Sequence, residues 1–283
     1  MRDYVELTKP RVTWLILLST AVGLYFGSHG VWDWSTAFHT VFGTGLIASG
    51  TFALNQWYER ESDRKMRRTA RRPIPQGRVS PNRALAWGIS LAAAGFADLW
   101  FGANPLAGVL GAATLLSYLF LYTPLKQRTN LSTVVGAVPG AMPPMIGYAG
   151  ASGTLSLEAW VLFAILFLWQ FPHFLAIAWM YREDYARAGI VMLPVEYPDG
   201  EATARQMVLY SLALIPVSMV PSLLGMSGKI YFFGALAAGL AYLYSGLRVV
   251  RDRTMLRARA VLVASVFYLP LIYGLMLLDR SRL

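Results

Sequence analysis

Apolar runs recur along the chain at about 12–28, 35–57, 84–102, 105–123, 132–150, 157–181, 205–225, 229–247 and 258–279. A bilayer core about 30 Å thick is crossed by roughly 20 apolar residues rising about 1.5 Å each. The pattern therefore predicts about nine transmembrane helices and an all-α membrane protein in a single domain over residues 1–283. The polar segments between the runs differ in kind. Those near 29–34 and 102–104 are short and nearly uncharged, whereas those near 58–83 and 182–204 are long and rich in ionisable groups. Four runs separate the two long segments, a spacing that hints at a duplicated four-helix unit.

Composition sharpens this reading. With 56% hydrophobic and 14% charged residues, the 283-residue chain is too apolar for a soluble domain. The net charge of +10 would suggest nucleic acid in a soluble protein, but here it reports topology. With the N-terminus in the cytoplasm, 22 of 25 Lys and Arg residues fall on inner segments, leaving Lys229, Arg280 and Arg282 outside. Cytoplasmic loops collect such cations, so chemistry is expected on that side and a nucleic-acid partner is not. The absence of cysteine excludes disulfides, thiolate metal sites and cysteine nucleophiles. The start, MRDYVELTKPR, does not read as a cleaved signal peptide or a transit leader, which points to a bacterial cytoplasmic (inner) membrane, with the first helix as targeting signal.

The second run leads into NQWYERESDRKMRRTARRPIP. If its helix continues, Asn55, Glu59 and Asp63 fall at i, i+4 and i+8 and share one face. Carboxylates and an amide are hard oxygen donors suited to Mg²⁺, which commonly joins a few protein oxygens to substrate phosphates. Arg64, Lys65, Arg67, Arg68, Arg71 and Arg72 follow, and guanidinium forks match phosphate oxygens. A juxtamembrane cation cluster that only sets topology and touches anionic membrane lipids is the alternative for these cations.

The sixth run ends in a second acidic group, Glu183 and Asp184, which could hold a second Mg²⁺ or simply cap a solvated helix end beside Arg182 and Arg187. His173 follows Pro172 inside that run, as a ligand-binding group or a hydrogen-bonded structural one. Tyr122 and Lys126 stand at i and i+4 at another inner end, where both could reach one anion, and Lys9 and Arg11 precede the first run. Asp98 lies toward the outer end of the third run and reads as structural.

Together LTKPRVTWL, NQWYERESDRKMRRTARRPIP, YTPLKQRT and WQFPHFLAIAWMYREDYARAGIVMLPV resemble the UbiA superfamily of intramembrane prenyltransferases, across essentially the whole chain. The superfamily's Asn-x₃-Asp-x₃-Asp motif corresponds to Asn55, Glu59 and Asp63, with Glu in the middle place, and its Tyr-x₃-Lys pair to Tyr122 and Lys126. The second motif departs from the superfamily's Asp-x₃-Asp, since Asp184 is followed four residues later by Ala188. Lys65, Met66, Arg68 and Thr69, with Glu183-Asp184-Tyr185, resemble the haem-acting branch.

The resemblance implies a UbiA-like bundle, Mg²⁺ as cofactor, farnesyl diphosphate as donor and haem B as acceptor, so that haem is substrate and not cofactor. Asn55, Glu59, Asp63 and Asp184 are the implied metal ligands, and with Lys126 the catalytic set. Lys9, Arg11, Lys65, Arg67, Arg68, Tyr122, His173, Glu183 and Arg187 are the expected substrate-binding residues. Haem A synthase or oxidase assembly factors are the expected protein partners. A sibling prenyltransferase acting on an aromatic acid, a chlorophyllide or a glycerol ether is the alternative. A transporter is another, for which the helix-breaking Pro139, Pro143 and Pro144 would be the mark.

Overall fold

The structure, a computed structural model, describes residues 1–280. Arg282, counted above among the outer cations, lies outside the described residues. Among these the only regular secondary structure is helical. A short helix, α1 (Arg2–Leu7), turns at Lys9 into α2 (Pro10–Gly27), which α3 (Trp34–Tyr58) and the brief α4 (Arg60–Lys65) follow. Next come α5 (Pro81–Ala97), extended by a π-helical turn Asp98–Ala103, and α6 (Pro105–Leu116), extended by a second π segment Ser117–Tyr122 into α7 (Thr123–Leu125). Then follow α8 (Ser132–Ala141), α9 (Pro143–Ser152), α10 (Leu157–Met180), α11 (Arg182–Ala188), α12 (Leu193–Glu196), α13 (Glu201–Leu223), α14 (Lys229–Arg251) and α15 (Met255–Leu278).

Seven helical segments are long and apolar enough to cross a membrane: α3, α5 and α6 with their extensions, α10, α13, α14 and α15. The protein is thus a multi-span integral membrane protein. The remaining two runs are α2, at 18 residues, and the α8–α9 pair, which Pro143 divides because proline clashes with the preceding turn and donates no hydrogen bond.

Helices in lipid gain little from burying apolar groups against one another, so small residues that let backbones approach decide the packing. At the α2–α9 crossing a Cβ on Gly23 would collide with the Pro144 carbonyl, and one on Gly147 with that of Thr20. The α3–α5 crossing is similar, where a Cβ on Gly50 would lie 2.7 Å from the Ala92 nitrogen. Two cores result. One gathers Ile47, Leu99, Leu110, Met145 and Ile146 among α3, α5, α6 and α9, and the other joins α10, α13, α14 and α15 around Leu162, Met207, Tyr242 and Tyr268.

The polar residues gather at one end of the bundle. There α1 lies against α3, with Leu7 packed on Ala53 and Ile74, and the Gln56 amide donates 2.8 Å to the Leu7 carbonyl. Arg78 pairs with Asp3 and Glu6, so the long segment after α4 is strapped to α1. At the opposite end Asp98 accepts from His39 Nδ1 at 2.8 Å, holding α5 to α3.

Candidate active site

Asn55 and Glu59 stand at the end of α3 and Asp63 in α4. The helix does not run straight through, as the sequence pattern suggests. It pauses at Glu59, whose ψ of 7° is followed by a fresh short helix. The rhythm survives the pause, since the Glu59 N–H donates to the Asn55 carbonyl at 2.9 Å and the Asp63 N–H to the Glu59 carbonyl at 2.8 Å. Asn55 and Asp63 are buried, at 1% and 0% exposure.

Each carboxylate has a cation from this chain. Glu59 Oε1 accepts from Lys126 Nζ at 2.8 Å, Asp63 Oδ2 from Arg72 Nη1 at 2.6 Å, and Asp184 from Arg187. Burial opposes the charge of Glu59 most strongly, but Lys126, Lys9 and Arg72 together outweigh it and hold the carboxyl below its usual range. Burial likewise works against Lys126, yet Glu59, with Tyr122 and Tyr118, lifts its ammonium well above the ordinary value, so both shifts favour the ion pair. For Asp63 burial prevails over Arg72 and raises the carboxyl. Lys9 sits in a left-handed turn, φ 47°, and its ammonium caps the Phe52 ring at 4.7 Å. Burial, with Arg72 next, drives its pKa down to about 7. Glu6, Lys9, Gln56, Arg68, Thr69 and Arg72 line a cleft of about 260 Å³ beside these pairs.

The second polar segment folds onto the first. Met66 packs with Ala188 and Ile190, the Arg68 N–H donates to Asp184 Oδ2 at 3.3 Å, and the Arg68 guanidinium lies 5.3 Å from the Tyr181 ring centroid. The Val191 N–H donates 2.7 Å to the Lys126 carbonyl, and Lys126 itself stands 4.3 Å from the Tyr122 ring. Residues far apart in the chain thus converge at one bundle end.

The remaining sequence candidates are placed differently. Arg11, Lys65, Arg67 and Glu183 are exposed. Arg182 donates to the Trp179 carbonyl and leaves Asp184 to Arg187. His173 is turned toward α15, where Nδ1 bonds Ser265 Oγ at 2.8 Å and the ring stacks on Trp169. Its Nδ1 contact is therefore interhelical, the structural one of the two roles that the sequence leaves open. Arg72, grouped at first with five other cations, is singled out by its contact with Asp63. No spacing rule marks it, because the intervening residues form an irregular turn rather than a helix.

Among the described residues no three His, Asp or Glu side chains surround one point. A full protein cage is thus absent, but Mg²⁺ does not require one, since it keeps waters and substrate oxygens. Asp63 Oδ1 is buried and accepts no hydrogen bond, an unusual state for a carboxylate oxygen unless a cation takes it. Asn55, Glu59 and Asp63 therefore fit a hard cation that shares its shell with phosphate oxygens.

A curated relative from Solibacter usitatus, a protoheme IX farnesyltransferase, is 65% identical, with both chains covered in full. The fold matches a solved structure described as digeranylgeranylglyceryl phosphate synthase, with a TM-score of 0.83, 16% identity, and 100% and 99% of the two chains covered. It also matches a UbiA homologue from Archaeoglobus fulgidus bound to GPP and Mg²⁺, with a TM-score of 0.71, 18% identity, and 97% and 99% covered. The profile of the UbiA prenyltransferase family spans residues 16–272, nearly the whole bundle together with all three carboxylate–cation pairs, and the chain belongs to that family.

Proposed function

We propose that this protein transfers the farnesyl group of farnesyl diphosphate to a vinyl group of haem B, with addition of water, giving haem O. The observation that carries the reading is the set of carboxylates and cations paired at one end of an apolar bundle and largely withdrawn from solvent, with Asp63 Oδ1 buried and unpaired. The full-length identity to the Solibacter usitatus relative supports haem as acceptor over an aromatic acid, a chlorophyllide or a glycerol ether. The three carboxylate–cation pairs lie at one bundle end and not at mid-membrane, which disfavours a transporter. By the cation count that end faces the cytoplasm of a bacterial inner membrane, with about nine spans among the described residues.

Asn55, Glu59 and Asp63 would hold Mg²⁺, which supplies positive charge to the leaving diphosphate. Arg72, Lys9 and Arg68 add charge to the same anion from the cleft they line, Lys126 from beside Glu59 and Arg187 from beside Asp184. Such fixed charge, aimed where negative charge develops, lowers the barrier to breaking the allylic C–O bond. The diphosphate leaves with the electron pair, and the haem vinyl group attacks the allylic cation to form the new C–C bond. Water then captures the carbocation beside the porphyrin and sheds a proton. The bundle interior must restrict water until that last step.

Mass spectrometry of haem extracted from membranes incubated with haem B, farnesyl diphosphate and Mg²⁺ tests the reading, with Asp63→Ala as control. Haem gaining one farnesyl group plus water in the wild type alone is the expected result. Unchanged haem, or a prenylated sibling acceptor instead, sinks the haem assignment.

A further inference from the structure

The helix that ends at Lys126 carries a proline in its last turn. Pro124 donates no N–H, and in an α-helix its ring would strike the carbonyl four residues back, that of Phe120. The chain widens immediately before it into the π segment Ser117–Tyr122, a form often found where function needs a displaced side chain. At its end the Tyr118 carbonyl accepts the Thr123 N–H and also the Thr123 hydroxyl, at 2.7 Å.

A hydroxyl has one proton and can donate it once. With that proton given to Tyr118, Thr123 Oγ1 can only accept from any other neighbour. The neighbour is Asn55, whose Nδ2 lies 3.4 Å away. Both residues are buried, at 2% and 1% exposure. At 3.4 Å the bond is long, and its effect is on direction. The reversed amide would set Asn55 Oδ1 against a second oxygen with no proton between them. Among the described residues Asn55 Oδ1 accepts no hydrogen bond, and it is turned away from Thr123.

We propose that Thr123 is a positioning residue that fixes the Asn55 amide, so that Asn55 offers its carbonyl oxygen and not its NH₂ to a bound cation. The inference rests on Asn55 as a ligand. It gives the π segment a purpose: Pro124 opens the turn, Tyr118 takes the hydroxyl proton, and Thr123 orients Asn55.

Mn²⁺ binding to the full-length protein in detergent, followed by electron paramagnetic resonance with inorganic pyrophosphate present, tests it without turnover. Groups that orient metal ligands typically contribute 10–100-fold to affinity, so Thr123→Val should weaken Mn²⁺ by about tenfold or more while Thr123→Ser stays within about twofold. At saturating Mg²⁺ the KM for farnesyl diphosphate should be unchanged in both, whereas a general packing defect would move it too. Wild-type Mn²⁺ affinity in a folded Thr123→Val protein overturns the proposal, as does a tenfold loss in Thr123→Ser, which decides alone if the valine variant does not fold. Asn55→Ala separates the two layers. If it binds Mn²⁺ as the wild type does, Asn55 is no ligand and the parent reading fails; if it is weakened while Thr123→Val is not, only the positioning role falls.

Discussion

Replacing Arg72 by Met should leave Asp63 with both oxygens buried and unpaired, because Oδ2 has Arg72 as its ion-pair partner and Oδ1 has none. Removing one partner of a buried pair typically destabilises by about 3–5 kcal/mol. A second route gives a similar figure. Asp63 can escape by staying protonated, and holding a carboxyl neutral at pH 7 against an ordinary pKa near 3.9 costs about 4 kcal/mol at roughly 1.4 kcal/mol per pH unit. Burial already raises Asp63 in the intact protein, so this escape is the expected one. The sign follows. A carboxyl raised in the folded state binds more protons there than when unfolded, so the variant's deficit is largest near pH 7 and shrinks as the pH falls toward the unfolded value. Denaturant unfolding in mixed detergent micelles at pH 7 and pH 5 measures it. An Arg72→Met deficit below about 1 kcal/mol, or one that does not change between these pH values, would refute the reasoning.

Other outcomes follow from the same geometry. Lys9 has a pKa of about 7, so its cation is present below that pH and fades above it; affinity for farnesyl diphosphate should fall as pH rises through 7, and Lys9→Met should flatten that step. An unchanged step in Lys9→Met would dismiss the role. His173→Ala should lose about 1 kcal/mol of stability with the Ser265 bond, yet keep the KM values for farnesyl diphosphate and haem, and a selective rise in either would restore it as a binding residue. The chain has no cysteine, so Ser80→Cys and Thr154→Cys, both at exposed positions, give clean topology probes at opposite ends of the bundle. A membrane-impermeant thiol reagent added to intact cells should label residue 154 and spare residue 80; the reverse would invert the orientation.

Much of the architecture is visible in residue order, because a spanning helix announces itself by length and apolarity alone. The runs 35–57 and 157–181 coincide with α3 and α10 to within a residue. The site is legible only in part. Asn55, Glu59 and Asp63 lie one turn apart, so helical spacing finds them, but their partners obey no spacing. Lys126 meets Glu59 from 67 residues away, and the Arg68 N–H meets Asp184 across 116. Thr123 is hidden for another reason: its role depends on the π register before Pro124, which hydrophobic periodicity does not register. His173 shows the opposite difficulty. An ionisable residue in an apolar run invites a functional reading, and Ser265, which satisfies it, comes 92 residues later.

The pairing of the carboxylates also bears on how the chain is built. Asp63 and Arg72 are nine residues apart on one loop, so that ion pair can close as soon as the second span has left the insertion machinery. Glu59 has no such neighbour among its described ion pairs, and its Lys126 partner emerges only after two further spans, α5 and α6, have been made. Asp184 receives Arg187 from its own short helix. Two of the three carboxylates are therefore neutralised locally during synthesis. The third stays without its ion-pair partner until α6 has been made, so the first polar segment is fully paired only then, ready for the second segment with Asp184 to fold onto it.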